Sequence, residues 1–144
     1  MLYLGGTTPG KGHEVAERHA TTLAGPGIRD MAPAEVARQM AAHDIVMVPS
    51  HHEGFGIVAL EAIASGRWVV ARDVGGLRNI ITSGLNGTLV GDEDWAGALA
   101  TVPDYDPFTI ARTVDRYRLS AWHAAMAEAW STLLRQRGAS NDAG

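Results

Sequence analysis

The sequence contains no cysteine. Disulfides, zinc knuckles, iron–sulfur clusters and thiol nucleophiles are thereby excluded. Positive charge is also scarce: 12 Lys and Arg stand against 16 Asp and Glu, giving a net charge of −4 and a pI near 5.8. The basic residues are scattered rather than gathered in a stripe, so nucleic-acid binding has little electrostatic support. No apolar run is long enough to cross a bilayer. The opening Met1-Leu2-Tyr3-Leu4-Gly5-Gly6 has no basic region and loses its apolar character after four residues, unlike a signal peptide. A soluble, cytoplasmic protein is expected.

What is present is 144 residues, 46% hydrophobic and 19% charged, the arithmetic of one globular domain that can bury a core without cross-links. Glycine is abundant, with 17 residues against an average usage of roughly 7%. The first strand is expected to start at residue 1 or 2, where a domain normally has a few loose residues. That start suggests that further chain belongs upstream.

Apolar runs alternate with helix-like segments. Strands are expected at Leu2-Tyr3-Leu4, Thr21-Thr22-Leu23-Ala24, Asp44-Ile45-Val46-Met47-Val48, Trp68-Val69-Val70-Ala71 and Gly87-Thr88-Leu89-Val90. Helices are expected at about 12–20, 34–43 with Pro33 at the first position, 56–65 closed by Gly66, 77–83 closed by Gly84, and 92–100. The strands run apolar without alternation, which predicts a parallel sheet covered on both faces, a doubly wound α/β layer. The tail changes character. Asp106-Pro107 reads as a cap followed by a proline at N1, and Ser120 reads as the cap of a last helix reaching about Arg137. On it Trp122, Met126, Ala129, Trp130 and Leu133 form one apolar face.

Chemistry concentrates in Pro49-Ser50-His51-His52-Glu53-Gly54-Phe55-Gly56-Ile57-Val58-Ala59-Leu60-Glu61. This segment joins a strand's C-terminal end to the next helix, where open parallel sheets place their ligands. Gly54 and Gly56 let a ligand approach the backbone, and the amides of Phe55 to Val58 are unpaired donors suited to a phosphate. Glu53 and Glu61 would repel that phosphate unless they face hydroxyls. With most of the step helical, their backbones stand about 10–12 Å apart along the axis, comparable to a diphosphate. Alone, Glu53 also reads as an exposed loop charge or a charge favouring the helix N-terminus. Glu61, on a helix apolar nearly all round, reads equally as a ligand group or as the partner of Arg67 or Arg78.

Together, Asp44-Ile45-Val46-Met47-Val48-Pro49-Ser50, Glu53-Gly54-Phe55-Gly56, Glu61-Ala62, Gly66, Val69-Val70-Ala71, Val74-Gly75-Gly76-Leu77 and Asn86-Gly87 resemble the C-terminal domain of retaining GT-B glycosyltransferases of the GT4 family, also called glycosyltransferase group 1. Glu53 and Glu61 reproduce its E-x7-E signature. The resemblance implies a partial Rossmann-like lobe over residues 1–104, C-terminal helices over 105–138 and a loose tail over 139–144. It also implies hexosyl transfer in carbohydrate biosynthesis from a UDP-, GDP- or ADP-sugar to an acceptor hydroxyl, with retention and without a cofactor. Carried over by position, Glu53 is the catalytic residue at the transferred sugar. Gly54 opens the loop there, the Phe55 and Gly56 amides meet sugar hydroxyls, the Ile57 and Val58 amides hold the diphosphate, and Glu61 binds the ribose.

Residues 1–43 fit the family in two ways. In one, residues 5–12 are its phosphate-contacting loop and Lys11 is a diphosphate ligand. In the other, Leu2-Tyr3-Leu4-Gly5-Gly6 is a later strand, Lys11 is a solvated loop lysine, and the strand supplying the basic phosphate ligands is absent. Spacing favours the second, because only 32 positions separate Gly12 from Asp44. No G-x-G-x-x-G follows Gly5-Gly6, which argues against a nicotinamide enzyme. His51-His52-Glu53 reads as exposed loop rather than a metal site, since adjacent histidines on an extended loop point apart. The expected partners are a nucleotide sugar and either a separately encoded N-terminal Rossmann domain or a second copy met through the last helix. Membrane contact is expected only through the acceptor. The competing expectation is a catalytically inactive nucleotide-sugar-binding or assembly module, the product of a truncated or split gene.

Overall fold

Five short apolar runs form one sheet: β1 (Leu2–Tyr3), β2 (Thr22–Leu23), β3 (Ile45–Val48), β4 (Trp68–Arg72) and β5 (Gly87–Val90). The computed structural model describes residues 1–91 and 94–141. The strands are all parallel, in the order β2-β1-β3-β4-β5. One row across the sheet runs Thr22, Leu2, Val46, Val69 and Gly87. Leu2, Val46 and Val69 are fully buried on it, and so are Tyr3, Met47 and Val70 on the adjacent row, which points to the opposite face; both faces are covered, which is why these runs are apolar without alternation.

The covering helices are α1 (His13–His19), α2 (Pro33–Ala41), α3 (Ile57–Ala64), α4 (Leu77–Ile80), α5 (Trp95–Ala100) and α6 (Pro107–Arg112). The chain moves outward from β1 to β2 and then returns past β1 to β3. With right-handed crossovers, that reversal puts α1 on one face and α2, α3 and α4 on the other. The expected caps form at three places. Pro33 opens α2, Gly66 follows α3 at a φ of 73°, and the Asp106 carboxylate accepts the Phe108 and Thr109 amides ahead of Pro107-led α6.

Two helices differ from expectation. α4 stops at Ile80, three residues early, because the buried Asn86 side chain donates to the Ile80 carbonyl (3.2 Å) and accepts the Thr82 amide (2.8 Å), diverting the chain into extended Ile81. α5 begins at Trp95 with Asp94 as its cap; the expected start at Asp92 lies outside the described residues.

The chain divides into two compact units after Thr113. The second holds a 3-10 turn (Asp115–Tyr117) and α7 (Leu119–Asn141). Ser120 lies inside α7 rather than capping it, since the helix already opens at Leu119, and the helix continues past Arg137 to Asn141. Trp122, Met126 and Trp130 of its expected apolar face are exposed. Among the described residues, no helix is long and apolar enough to cross a membrane.

Candidate functional site

In a parallel sheet whose strand order reverses, the loops leaving the two strands at the reversal diverge and open a crevice at their C-terminal ends. Here those strands are β1 and β3. The loop after β1 brings Lys11, the chain's single lysine, and the loop after β3 brings the segment from Pro49 to Gly56. The crevice joins them: Lys11 Nζ lies 2.9 Å from Glu53 Oε2, with the glutamate side chain mostly buried.

Several contacts fix this junction. The His51 amide donates to the Gly10 carbonyl (2.8 Å), and His51 Nε2 meets Glu14 Oε1 at 2.9 Å. That imidazole hydrogen bond holds the Glu14 carboxyl below its ordinary range. Buried Tyr3 donates its hydroxyl to the Gly6 carbonyl (2.7 Å), tying the loop after β1 back to its own strand. Burial pushes that phenol up to about 12. Lys11 is therefore not the solvated lysine that spacing favoured. Counting residues between Gly12 and Asp44 carries no information on which strand lies beside β3, and β1 does.

Glu53 is set from the other side by Gly75 and Gly76. The Gly76 amide donates to the Glu53 carbonyl (2.9 Å). A Cβ on Gly75, whose φ is 49°, would lie 2.1 Å from that carbonyl oxygen, and one on Gly76 would lie 2.3 Å from the Gly54 carbonyl. Gly54 itself has nothing within 4 Å of such an atom, so its bare backbone faces open space.

Gly56, at φ 94° and ψ 49°, turns the chain into α3 with no side-chain cap. Among the described residues the amides of Ile57, Val58 and Ala59 find no backbone acceptor; the first amide engaged is Leu60, on the Gly56 carbonyl (3.0 Å). These are the orphan donors of a helix N-terminus. Phe55 and Ile57 are exposed beside them.

Glu61 sits one turn after Ile57, about 6 Å further along the axis. The helix begins only at Ile57, so half of the step from Glu53 to Glu61 is loop and the expected helical spacing does not apply. Glu61 is exposed, not buried. Neither arginine proposed for it serves: Arg78 is bound to Asp73 (2.6 Å), and among the described residues Glu61 has no ion pair. Instead it lines a groove of about 470 Å³ between α2 and α3, with Met31, Val36 and Met40 opposite.

A second concavity, of about 610 Å³, opens at the Glu53 end, lined by His51, His52, Gly54, Asp73, Gly75 and Arg78. The two carboxylates thus stand at a polar and an apolar hollow, with the uncapped helix start between them in the chain. His51 and His52 are both exposed. Arg72 was not singled out from the sequence, yet its Nε donates to the Pro49 carbonyl (3.3 Å) and its guanidinium lies 5.6 Å from the Trp95 ring centroid. An arginine closing a buried strand was the available signal.

The family model for glycosyl transferases group 1 matches residues 2–102. The chain is 42% identical over 107 residues to a D-inositol 3-phosphate glycosyltransferase of Nocardioides sp., covering 68% of this chain and 23% of that protein. It is 40% identical over 112 residues to the protein of the same name from Thermobispora bispora, covering 71% and 26%. The chain therefore spans about a quarter of the length of these curated relatives. Among solved structures, Anabaena HepE in complex with UDP superposes with a TM-score of 0.68 at 21% identity, over 91% of this chain and 48% of that one. Sucrose-phosphate synthase from Thermosynechococcus elongatus follows at 0.55 and 26%, over 96% and 38%. The first likeness gives the fold, a GT-B lobe with its parallel sheet. With the family model spanning most of the chain, the protein belongs to the glycosyl transferases group 1 family.

Proposed function

We propose that this chain is the donor-binding lobe of a retaining hexosyltransferase and holds a nucleoside diphosphate sugar across the start of α3. The observation that carries the reading is the uncapped N-terminus: three adjacent amides without a backbone acceptor, flanked by Glu53 and by an exposed carboxylate, Glu61, that no cation claims among the described residues. A diphosphate satisfies the amides and is favoured by the helix dipole. Lys11, a short reach away on Glu53, adds the cation that offsets its charge. Glu61, acceptor-only when ionised, takes the two ribose hydroxyls as donors, and the base then lies in the groove against Met31 and Val36. At the other end Glu53, with the Phe55 and Gly56 amides, meets the sugar hydroxyls in the polar concavity.

In transfer, the bond from the anomeric carbon to the diphosphate oxygen breaks, and the acceptor oxygen bonds to the same face of that carbon. The acceptor's proton leaves with the departing diphosphate, whose new charge the α3 amides and Lys11 stabilise. The acceptor site belongs to a second lobe, consistent with a chain spanning about a quarter of its relatives. UDP bound to HepE is in keeping with a nucleotide donor.

Calorimetry with UDP tests the binding step. Wild type binds; Glu61→Ala weakens UDP roughly tenfold or more and removes the preference for UDP over 2′-deoxy-UDP, as expected for lost charge-assisted hydrogen bonds. Unchanged titrations for Glu61→Ala would refute the assignment of that residue.

A further inference from the structure

The groove beside Glu61 has a composition that bears on which nucleotide it takes. On the α2 side its wall is Met31, Pro33, Val36, Ala37 and Met40, which offer no hydrogen-bonding group beyond thioether sulfur, that of Met31 already accepting from Arg29 Nη2 (3.6 Å); among the described residues its α3 wall offers only Glu61 and Ser65 as polar groups. The polar residues nearest this wall are already engaged with one another. Glu35 binds Arg29 (2.8 Å), Gln39 (2.9 Å) and Arg38, holding all three in one network. At Gly25, Ile28 and Arg29 the loop ahead of the groove uses its backbone in the same inward way. The Gly25 amide donates to the Arg29 carbonyl (2.9 Å), and the Gly25 carbonyl accepts both Ile28 (3.0 Å) and Arg29 (3.1 Å).

We propose that this groove grips the nucleobase by apolar and thioether contact, without reading its edge, so that purine and pyrimidine nucleoside diphosphates bind nearly alike. The inference rests on Glu61 being the ribose ligand. Discrimination between polar ligands is strong only when a site offers buried donors or acceptors that the wrong ligand leaves unpaired; an apolar pocket rejects a near-isostere weakly. Glu61 is committed to the ribose, common to all the nucleotides. Ser65 both donates and accepts, so it pairs with either kind of edge and prefers neither. Methionine is unbranched with a polarisable sulfur, which lets Met31 adjust to a one-ring or two-ring base.

The test is calorimetry of the chain with UDP, GDP and ADP in turn, on wild type and Met31→Ala. Met31 lies half-exposed ahead of α2, so its truncation spares the core. Three dissociation constants within roughly fivefold of one another are expected, and Met31→Ala should weaken all three by a common factor of about three to ten, the loss from one partly buried apolar side chain. A preference above about twentyfold for one nucleotide, or a Met31→Ala effect confined to one of them, overturns the inference and leaves the donor site standing. Failure of all three to bind wild type overturns the donor site itself.

Discussion

Gly54 and Gly75 look alike in a sequence, each a glycine in a loop near Glu53, but the structure gives them opposite consequences. A Cβ on Gly75 would lie 2.1 Å from the Glu53 carbonyl oxygen, where ordinary contact begins at 3.4 Å, so that carbonyl must yield by about 1.3 Å. Backbone cannot rotate aside as a side chain can. The Gly76 amide bonded to the same carbonyl at 2.9 Å would be lost, a cost of roughly 1 kcal/mol. Alanine at a φ of 49° adds roughly 1–2 kcal/mol. Gly75→Ala should thus lose about 2–3 kcal/mol in urea unfolding, while Gly54→Ala, with open space around its Cβ, should stay within about 0.5 kcal/mol of wild type. If Glu53 acts at the sugar as proposed, Gly75→Ala should also cut sugar transfer by about a hundredfold in the presence of an acceptor-binding lobe, as misplacements of about 1 Å do. A Gly75→Ala protein as stable as wild type, or equal losses at both glycines, would refute the reasoning.

The remaining predictions concern the supports of the site. Asn86→Ala takes the side-chain partner from the Ile80 carbonyl and the Thr82 amide, and one donor from the Thr113 hydroxyl, which keeps its bond to the Ile110 carbonyl; it should cost about 2–4 kcal/mol, read as a lower urea midpoint at unchanged slope. Tyr3 has its phenol raised to about 12 from 10.0, so the folded state holds that proton more tightly than the unfolded chain does. Its contribution is full below pH 10 and disappears as pH rises towards 12, and an alkaline unfolding series should show that loss in wild type and lack it in Tyr3→Phe.

The sheet was legible because a strand buried on both faces leaves a continuous apolar run, and Val46, Val69 and their neighbours are such runs. Helix limits were legible where the cap is local, as at Pro33 and Asp106. They were not where it comes from a distance: Asn86 ends α4 from six residues away, and its Asn-Gly sequence reads as a turn alone. Glu61 misled for a related reason. Its helix is apolar nearly all round, which suggests burial, yet the face carrying Glu61 borders an open groove instead of packed core. Lys11 depends on strand order, and order depends on long-range pairing that spacing does not encode.

The Lys11–Glu53 pair sets the two glutamates of the signature apart and makes their variants diverge. Glu61 has no ion pair among the described residues, and on the proposed binding mode its loss removes the ribose contact and weakens nucleotide binding. Glu53 is matched to Lys11 at 2.9 Å, and on the proposed binding mode a diphosphate arriving at α3 competes with Glu53 for the same ammonium. Glu53→Gln keeps the shape, deletes the competitor and removes a negative charge from beside the phosphates. It should therefore tighten UDP about two- to fivefold, the range of a partly exposed ion pair, while abolishing transfer through the lost sugar contact. The gain should shrink as salt is raised from 0.05 to roughly 0.5 M, because the pair is open enough to be screened. Weaker UDP binding in Glu53→Gln would mean that Lys11 serves to hold Glu53 and never reaches the diphosphate.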